Sequence, residues 1–164
     1  MLDHVTLRVH DLAASKAFYL ATLKPLGYAA IMDFPEGCGL GAGGKPDFWL
    51  VHDPAASPQH VAFAAPSRAA VDAFHAAALA AGGKDNGAPG LRLHYHPNYY
   101  GAFVDDPTGH HMEAVIHTPP GKGTRKAAPG KPAAKKAAKK AAARKAPAKK
   151  AAKAAAKGAA RRRR

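Results

Sequence analysis

Residues 59–65 repeat, at an offset of 56 positions, a pattern already present near the N-terminus. His60-Val61 restates His4-Val5, and the register then holds without a gap through Ala13/Ala69, Ala17/Ala73, Phe18/Phe74, Leu23/Leu79 and Gly27/Gly83. An internal duplication of this length constrains the fold more than any local propensity, because each half must build the same unit. Each copy opens with a histidine on an expected strand, so an approximately twofold arrangement brings two imidazoles to one central place.

The chain divides into two chemically different pieces. Residues 1–118 hold 7 of the 25 Lys+Arg, all 11 Asp+Glu and all 10 His, a net charge of −4. Residues 119–164 hold the other 18 Lys+Arg and no acid, so the basic character behind the whole-chain charge of +14 belongs to this tail alone. A domain of the first length buries a sufficient core without disulfides or a structural metal. Cys38 is the only cysteine, which excludes an intrachain disulfide and a thiolate metal cluster. The start of the chain lacks a charged region followed by a long apolar run, and no stretch approaches 18 apolar residues; the expectation is a soluble, cytoplasmic protein.

Within the domain, residues 2–9 alternate, with Val5, Leu7 and Val9 on one side and His4, Thr6 and Arg8 on the other, which predicts a half-buried strand. Asp11 is the expected N-cap of a helix over 12–23, ended by Pro25 and Gly27. Short strands are expected over 28–34, Gly37–Gly41 and 47–52. After a linker at 54–58 the pattern restarts: a strand over 59–65, a Ser67-capped helix over 68–81 stopped by Gly82-Gly83, and strands over 91–96, 99–105 and 110–117. The last two are joined by the turn signal Asp106-Pro107-Thr108-Gly109.

Two βαβββ modules, each opened by a strand-borne histidine, together with Asp106-Pro107-Thr108-Gly109-His110-His111-Met112-Glu113, resemble the vicinal oxygen chelate superfamily. That superfamily includes glyoxalases, extradiol dioxygenases, fosfomycin-resistance enzymes and bleomycin-resistance proteins. The resemblance covers residues 2–117 and implies an α+β fold: tandem modules over 2–55 and 58–117, whose curved mixed sheets enclose a cavity. It also implies a divalent metal held by His4, His60 and Glu113. Two imidazoles and a carboxylate suit Fe(II), the favoured ion, as well as Mn(II) or Zn(II), and three protein ligands leave positions for substrate. The alternative is that both histidines cap strand ends and Glu113 is a surface acid.

The position that was not duplicated is also informative. Aligning Phe48-Trp49-Leu50-Val51 with Met112-Glu113-Ala114-Val115 puts Trp49 where the second half has Glu113. In glyoxalases this place carries a carboxylate tied to proton transfer, which tryptophan cannot replace, so the resemblance turns away from a standard glyoxalase reaction and toward the iron site of extradiol dioxygenases and the manganese site of fosfomycin-resistance enzymes. Trp49 is read as a pocket-shaping, substrate-facing side chain. On the expected strands Tyr99, Gly101 and Phe103 share one face, and Arg92, His94 and His96 share another. His94, His96 and Tyr99 are thus candidates for proton transfer, and Arg92 and Phe103 for substrate contact, an exposed loop at 94–96 without a role being the alternative. Some dioxygenases and fosfomycin-resistance enzymes carry a tyrosine ten residues before the carboxylate ligand, where this chain has Phe103. His111 is a candidate neighbour of the metal site, and His110 a solvated turn residue. Cys38 has no adjacent histidine or second cysteine and is read as a small buried residue.

The tail is almost wholly Ala, Lys, Arg, Pro and Gly and has no large apolar residue to bury, so it is expected to be disordered. It resembles linker-histone tails. Lys135, Lys136, Lys139 and Lys140, and the terminal Arg161, Arg162, Arg163 and Arg164, are expected to bind nucleic acid or another polyanion without reading sequence. No aromatic is interleaved for base stacking.

The leading expectation is a metal-dependent enzyme, an extradiol-type dioxygenase whose substrate chelates the ion through vicinal oxygens. A lyase or isomerase, a fosfomycin-resistance-like transferase, a metal-free binding protein of the bleomycin-resistance kind and a primarily DNA-associated factor are the other classes. A homodimer that exchanges modules is compatible with all of them.

Overall fold

Alternation in β1 (Val5–Val9) sorts its side chains by face: Leu7 and Val9 are fully buried, whereas Thr6 and Arg8 are exposed. The computed structural model describes residues 2–119, and the expected tail sites from residue 120 onward lie outside the described residues. After β1 come α1 (Leu12–Thr22), a 3-10 turn (Lys24–Leu26), β2 (Ala29–Phe34), β3 (Gly37–Gly41) and β4 (Phe48–His52). The second half contributes β5 (His60–Ala64), α2 (Arg68–Ala80), β6 (Lys84–Leu91), β7 (Tyr100–Asp105) and β8 (His111–Ile116).

Two four-stranded mixed sheets result, ordered β1-β4-β3-β2 and β5-β8-β7-β6. In each, the opening strand runs parallel to the closing one and the remaining pairs are antiparallel. The repeat is visible in the register: Thr6 stands opposite Trp49 as Ala62 stands opposite Glu113.

Capping starts the helices where the sequence predicts. The Asp11 carboxylate accepts the Ala14 N–H at 2.9 Å, and the Ser67 hydroxyl accepts that of Ala70 at 3.1 Å. The chain leaves the first helical region through Gly27 and the second through Gly82, both at positive φ (88° and 94°), where a side chain would be strained.

α1 packs on β3 and β4, α2 packs on β6, β7 and β8, and the helices pack on each other. The two halves therefore meet through their helix-covered faces in one hydrophobic core. Phe63 of β5 enters the first half with its ring centroid 5.5 Å from Tyr28 and 5.1 Å from Phe48, both edge-on. A second tie is polar: the buried Tyr19 hydroxyl of α1 donates to Asp106, at the β7–β8 turn, at 2.6 Å. The opposite face of each sheet, which carries Thr6 and Trp49 in one half and His60 and Glu113 in the other, points away from this core, and His4 immediately precedes β1.

One expected element is corrected. The strand lies at Lys84–Leu91 rather than over 91–96, and the chain from Arg92 to Tyr99 is a loop. Turn bonds from Tyr95 N–H and His96 N–H to the Arg92 carbonyl, and from Tyr99 N–H to that of His96, curl it, leaving Leu93 and Tyr95 exposed. β6 is an edge strand bonded to β7 alone, which is where Pro89 and Gly90 are tolerated. His75 of α2 anchors its start, with Nε2 2.8 Å from Asp85 Oδ1.

That contact, followed by the Gly87 N–H, holds the Asp85 carboxyl below its ordinary value of 3.8. Its stabilising effect is present above the unfolded carboxyl's pKa and is lost as pH falls through the lowered folded value. Melting temperatures of wild type and Asp85→Asn should therefore differ above the ordinary carboxyl value of 3.8 and converge as pH falls through the lowered folded value. A difference independent of pH would remove this role from Asp85.

Candidate metal and ligand site

Glu113 is buried because β8 is an interior strand, flanked by β5 and β7. Its register neighbours are Ala62 on one side and Phe103 on the other. Gly101 makes room for it: a Cβ there would stand 3.1 Å from Glu113 Oε1 and 3.1 Å from a Tyr99 ring carbon. Through that opening the Tyr99 hydroxyl donates to Glu113 Oε1. Burial first, and then the hydrogen bond and charge of Glu113, push the Tyr99 phenol above its usual value, so it remains a donor at neutral pH. The other carboxylate oxygen, Oε2, lies 3.3 Å from His60 Nε2, and the His60 ring is half exposed on the outer face.

An open groove of ≈ 470 Å³ begins at His60 of this pair, walled by His60, Phe103, His111, Arg92, His94 and Tyr95. At its rim His111 Nδ1 lies 2.7 Å from Asp105 Oδ1, which also accepts from Asn86 at 2.8 Å. His110 is buried, not solvated: its Nδ1 accepts the Gln59 N–H at 3.1 Å, and its Nε2 has no partner among the described residues. Residue 59 immediately precedes His60, so this bond helps fix where β5 begins.

The remaining sequence-predicted residues separate. Arg92, His94 and Phe103 line the groove, whereas Tyr99 is bonded to Glu113 and is not among the groove residues. His96 is turned to His117, its ring centroid 6.1 Å away, and is not among the groove residues. Trp49 lies on the outer face of the first sheet, stacked on Phe34 at 6.3 Å and 13°. His4 precedes β1 and is exposed, with Nδ1 3.0 Å from Asp3. The expected trio of His4, His60 and Glu113 is thus represented by a pair. Among the described residues no three His, Cys, Asp or Glu side chains gather as a metal site. Cys38 is buried, and burial raises its thiol pKa, in keeping with a packing role.

Asn86, Asp105 and Tyr95 were not singled out from the sequence. The only available signal was parity for Asp105, which shares a strand face with Phe103.

The family model of the Glyoxalase/Bleomycin resistance protein/Dioxygenase superfamily matches residues 1–114. The chain belongs to this superfamily. A solved superfamily structure, a glyoxalase/bleomycin resistance protein from Albidiferax ferrireducens T118, is 31% identical with a TM-score of 0.61, the match covering 71% of this chain and 98% of that one. A family enzyme from Burkholderia phytofirmans PsJN is similar at 23% identity and TM-score 0.57, with 71% and 98% covered. Lactoylglutathione lyase from Agrobacterium tumefaciens is similar at 20% identity and TM-score 0.53, with 70% and 92% covered. At those identities the latter two share the fold. No curated protein matches. No helix among the described residues is long and apolar enough to cross a membrane.

Proposed function

We propose that this superfamily member is a divalent-metal enzyme acting on a small molecule with two neighbouring oxygens, with extradiol-type cleavage on Fe(II) as the leading reaction. The observation that carries the reading is the 3.3 Å separation of His60 Nε2 and Glu113 Oε2. Two donors each about 2.1 Å from one divalent ion, at angles from octahedral to tetrahedral, stand roughly 3.0–3.4 Å apart. The pair therefore fits the ion as adjacent ligands. When bound, the ion supplies a Lewis acid that chelates substrate oxygens.

The chain's own groups do the rest. Tyr99 fixes the Glu113 carboxylate so that Oε2 faces His60, and Phe103 with the 92–99 loop walls the groove. The third ligand is His4 of a second copy of the chain, because His4 of the same chain immediately precedes β1 of the other sheet. Trp49 brings no carboxylate from that half, which sets aside the proton shuttle of a glyoxalase.

Metal content tests this directly. Protein purified without added metal should carry a stoichiometric divalent ion that His60→Ala and His4→Ala each remove. Mixing His4→Ala with Glu113→Ala chains should restore part of it, since one composite site in such a dimer is intact. If iron is present, oxygen uptake with catechols should follow; none with any catechol would favour a lyase or transferase. A metal-free binding protein is the second reading, favoured by the fact that both Glu113 oxygens already have partners. It predicts ligand affinity unchanged by chelators. The basic tail we read as a non-specific nucleic-acid or polyanion binder, tested by loss of salt-sensitive DNA retention on deletion after Thr118.

A further inference from the structure

The distortion of β6 has a local beneficiary. Pairing with β7 slips between Asp85 and Gly87 and again between Gly87 and Gly90. The space opened at Gly87 is shared by the Phe103 ring and the Arg92 guanidinium, and that at Gly90 is taken by the guanidinium. A Cβ at Gly87 would come 3.2 Å from Arg92 Nη2, and one at Gly90 would come 3.0 Å from Nη1. The guanidinium is held from two further sides: Nη2 donates to the Ala88 carbonyl at 2.7 Å, and its carbon lies 5.3 Å from the Phe103 ring centroid.

This anchoring leaves the cation unspent. No carboxylate among the described residues pairs with Arg92. Acids around the groove are engaged, Glu113 by Tyr99 and His60, Asp105 by Asn86 and His111, and Asp85 by His75. A preorganised, unpaired guanidinium beside an aromatic wall is a carboxylate receptor, because its planar fork matches two carboxylate oxygens.

The Phe103 ring neighbours both this receptor and His60 of the proposed metal ligands, with its centroid 5.3 Å from the Arg92 guanidinium carbon and 6.5 Å from that of the His60 ring. A ligand ring lying along Phe103 would meet both. We propose that the groove selects an aromatic carboxylate. Its carboxylate pairs with Arg92, its ring lies along Phe103, and its far edge, bearing vicinal hydroxyls, points to His60 and Glu113. The far-edge contact rests on the metal-enzyme reading; the carboxylate contact does not.

Binding to the full chain separates the two. Iron-loaded protein under argon and chelator-treated protein are each titrated calorimetrically with 3,4-dihydroxybenzoate, catechol and benzoate. On the loaded protein 3,4-dihydroxybenzoate should bind at least about 10-fold more tightly than catechol, the effect of a charge-assisted hydrogen-bonded pair. Arg92→Gln should erase that difference, and a thermal melt matching wild type reports that the fold around the groove is intact. Arg92→Lys should recover only part of it, since a point charge lacks the fork. Benzoate should bind the chelated protein in an Arg92-dependent way. Equal affinity for catechol and 3,4-dihydroxybenzoate in the wild type, or a preference that survives Arg92→Gln, would overturn the proposal and leave the metal reading standing. Arg92-dependent benzoate binding with no gain from metal for any diol would do the reverse.

Discussion

Asp106→Ala should cost the domain about 3–5 kcal/mol, because it strands several donors at once, each worth roughly 1–3 kcal/mol when left buried without an acceptor. The carboxylate is almost fully buried and accepts from Tyr19 Oη at 2.6 Å, Thr108 N–H at 2.8 Å, His110 N–H at 2.9 Å and the Thr108 hydroxyl at 2.8 Å. Burial first, and then the Asp106 charge, drive the Tyr19 phenol far above its usual range, so it has no route to relief by ionising. The β7–β8 turn would loosen and the polar tie between the two halves would be lost. In a domain of this size the melting temperature should fall on the order of 10–20 °C. Tyr19→Phe removes one donor and keeps the turn, so it should cost only about 1–2 kcal/mol. A denaturant midpoint for Asp106→Ala close to wild type would show that the hairpin holds without its carboxylate.

Glu113→Gln should separate metal affinity from stability. The substitution keeps the shape beneath Gly101 and an oxygen for Tyr99, so stability should stay within about 1 kcal/mol of wild type, or rise, since a buried carboxylate is desolvated. It removes the only anion of the proposed ligand pair. Loss of a group supporting a ligand typically weakens a site 10–100-fold, so loss of the ligand itself should exceed about 100-fold. Titration of chelator-treated protein with Fe(II) or Mn(II), alongside a thermal melt, measures both. Wild-type metal affinity in Glu113→Gln would remove this carboxylate from the site, and with it the metal-enzyme reading.

Much of this architecture is legible in the chain, for identifiable reasons. Both helices begin where Asp11 and Ser67 announce them, and β3 matches its expected bounds, because caps and alternation are local signals. The equivalence of Trp49 and Glu113 also follows from the repeat and reappears in the register. β6 escaped because Lys-Asp-Asn-Gly-Ala-Pro-Gly-Leu has neither alternation nor branched residues; its place depends on pairing with β7 and on anchoring by His75. Leu91, Leu93 and Tyr95 alternate with polar residues as a strand would, yet turn bonds and Pro97 break the ladder. Strand parity predicts outward faces for His4 and His60. It carries no information about which way one sheet turns relative to the other, and that is why a trio was expected where the chain presents a pair.

The two halves join through their helix-covered faces, and this divides the demands on each strand. Leu7, Leu50, Phe63 and Met112 answer to packing, while Thr6, Trp49, Ala62 and Glu113, each one step along the same strands, answer to whatever approaches from outside. Neighbouring positions thus meet separate demands. The interior that both halves share is compatible with tryptophan in one half where the other carries glutamate.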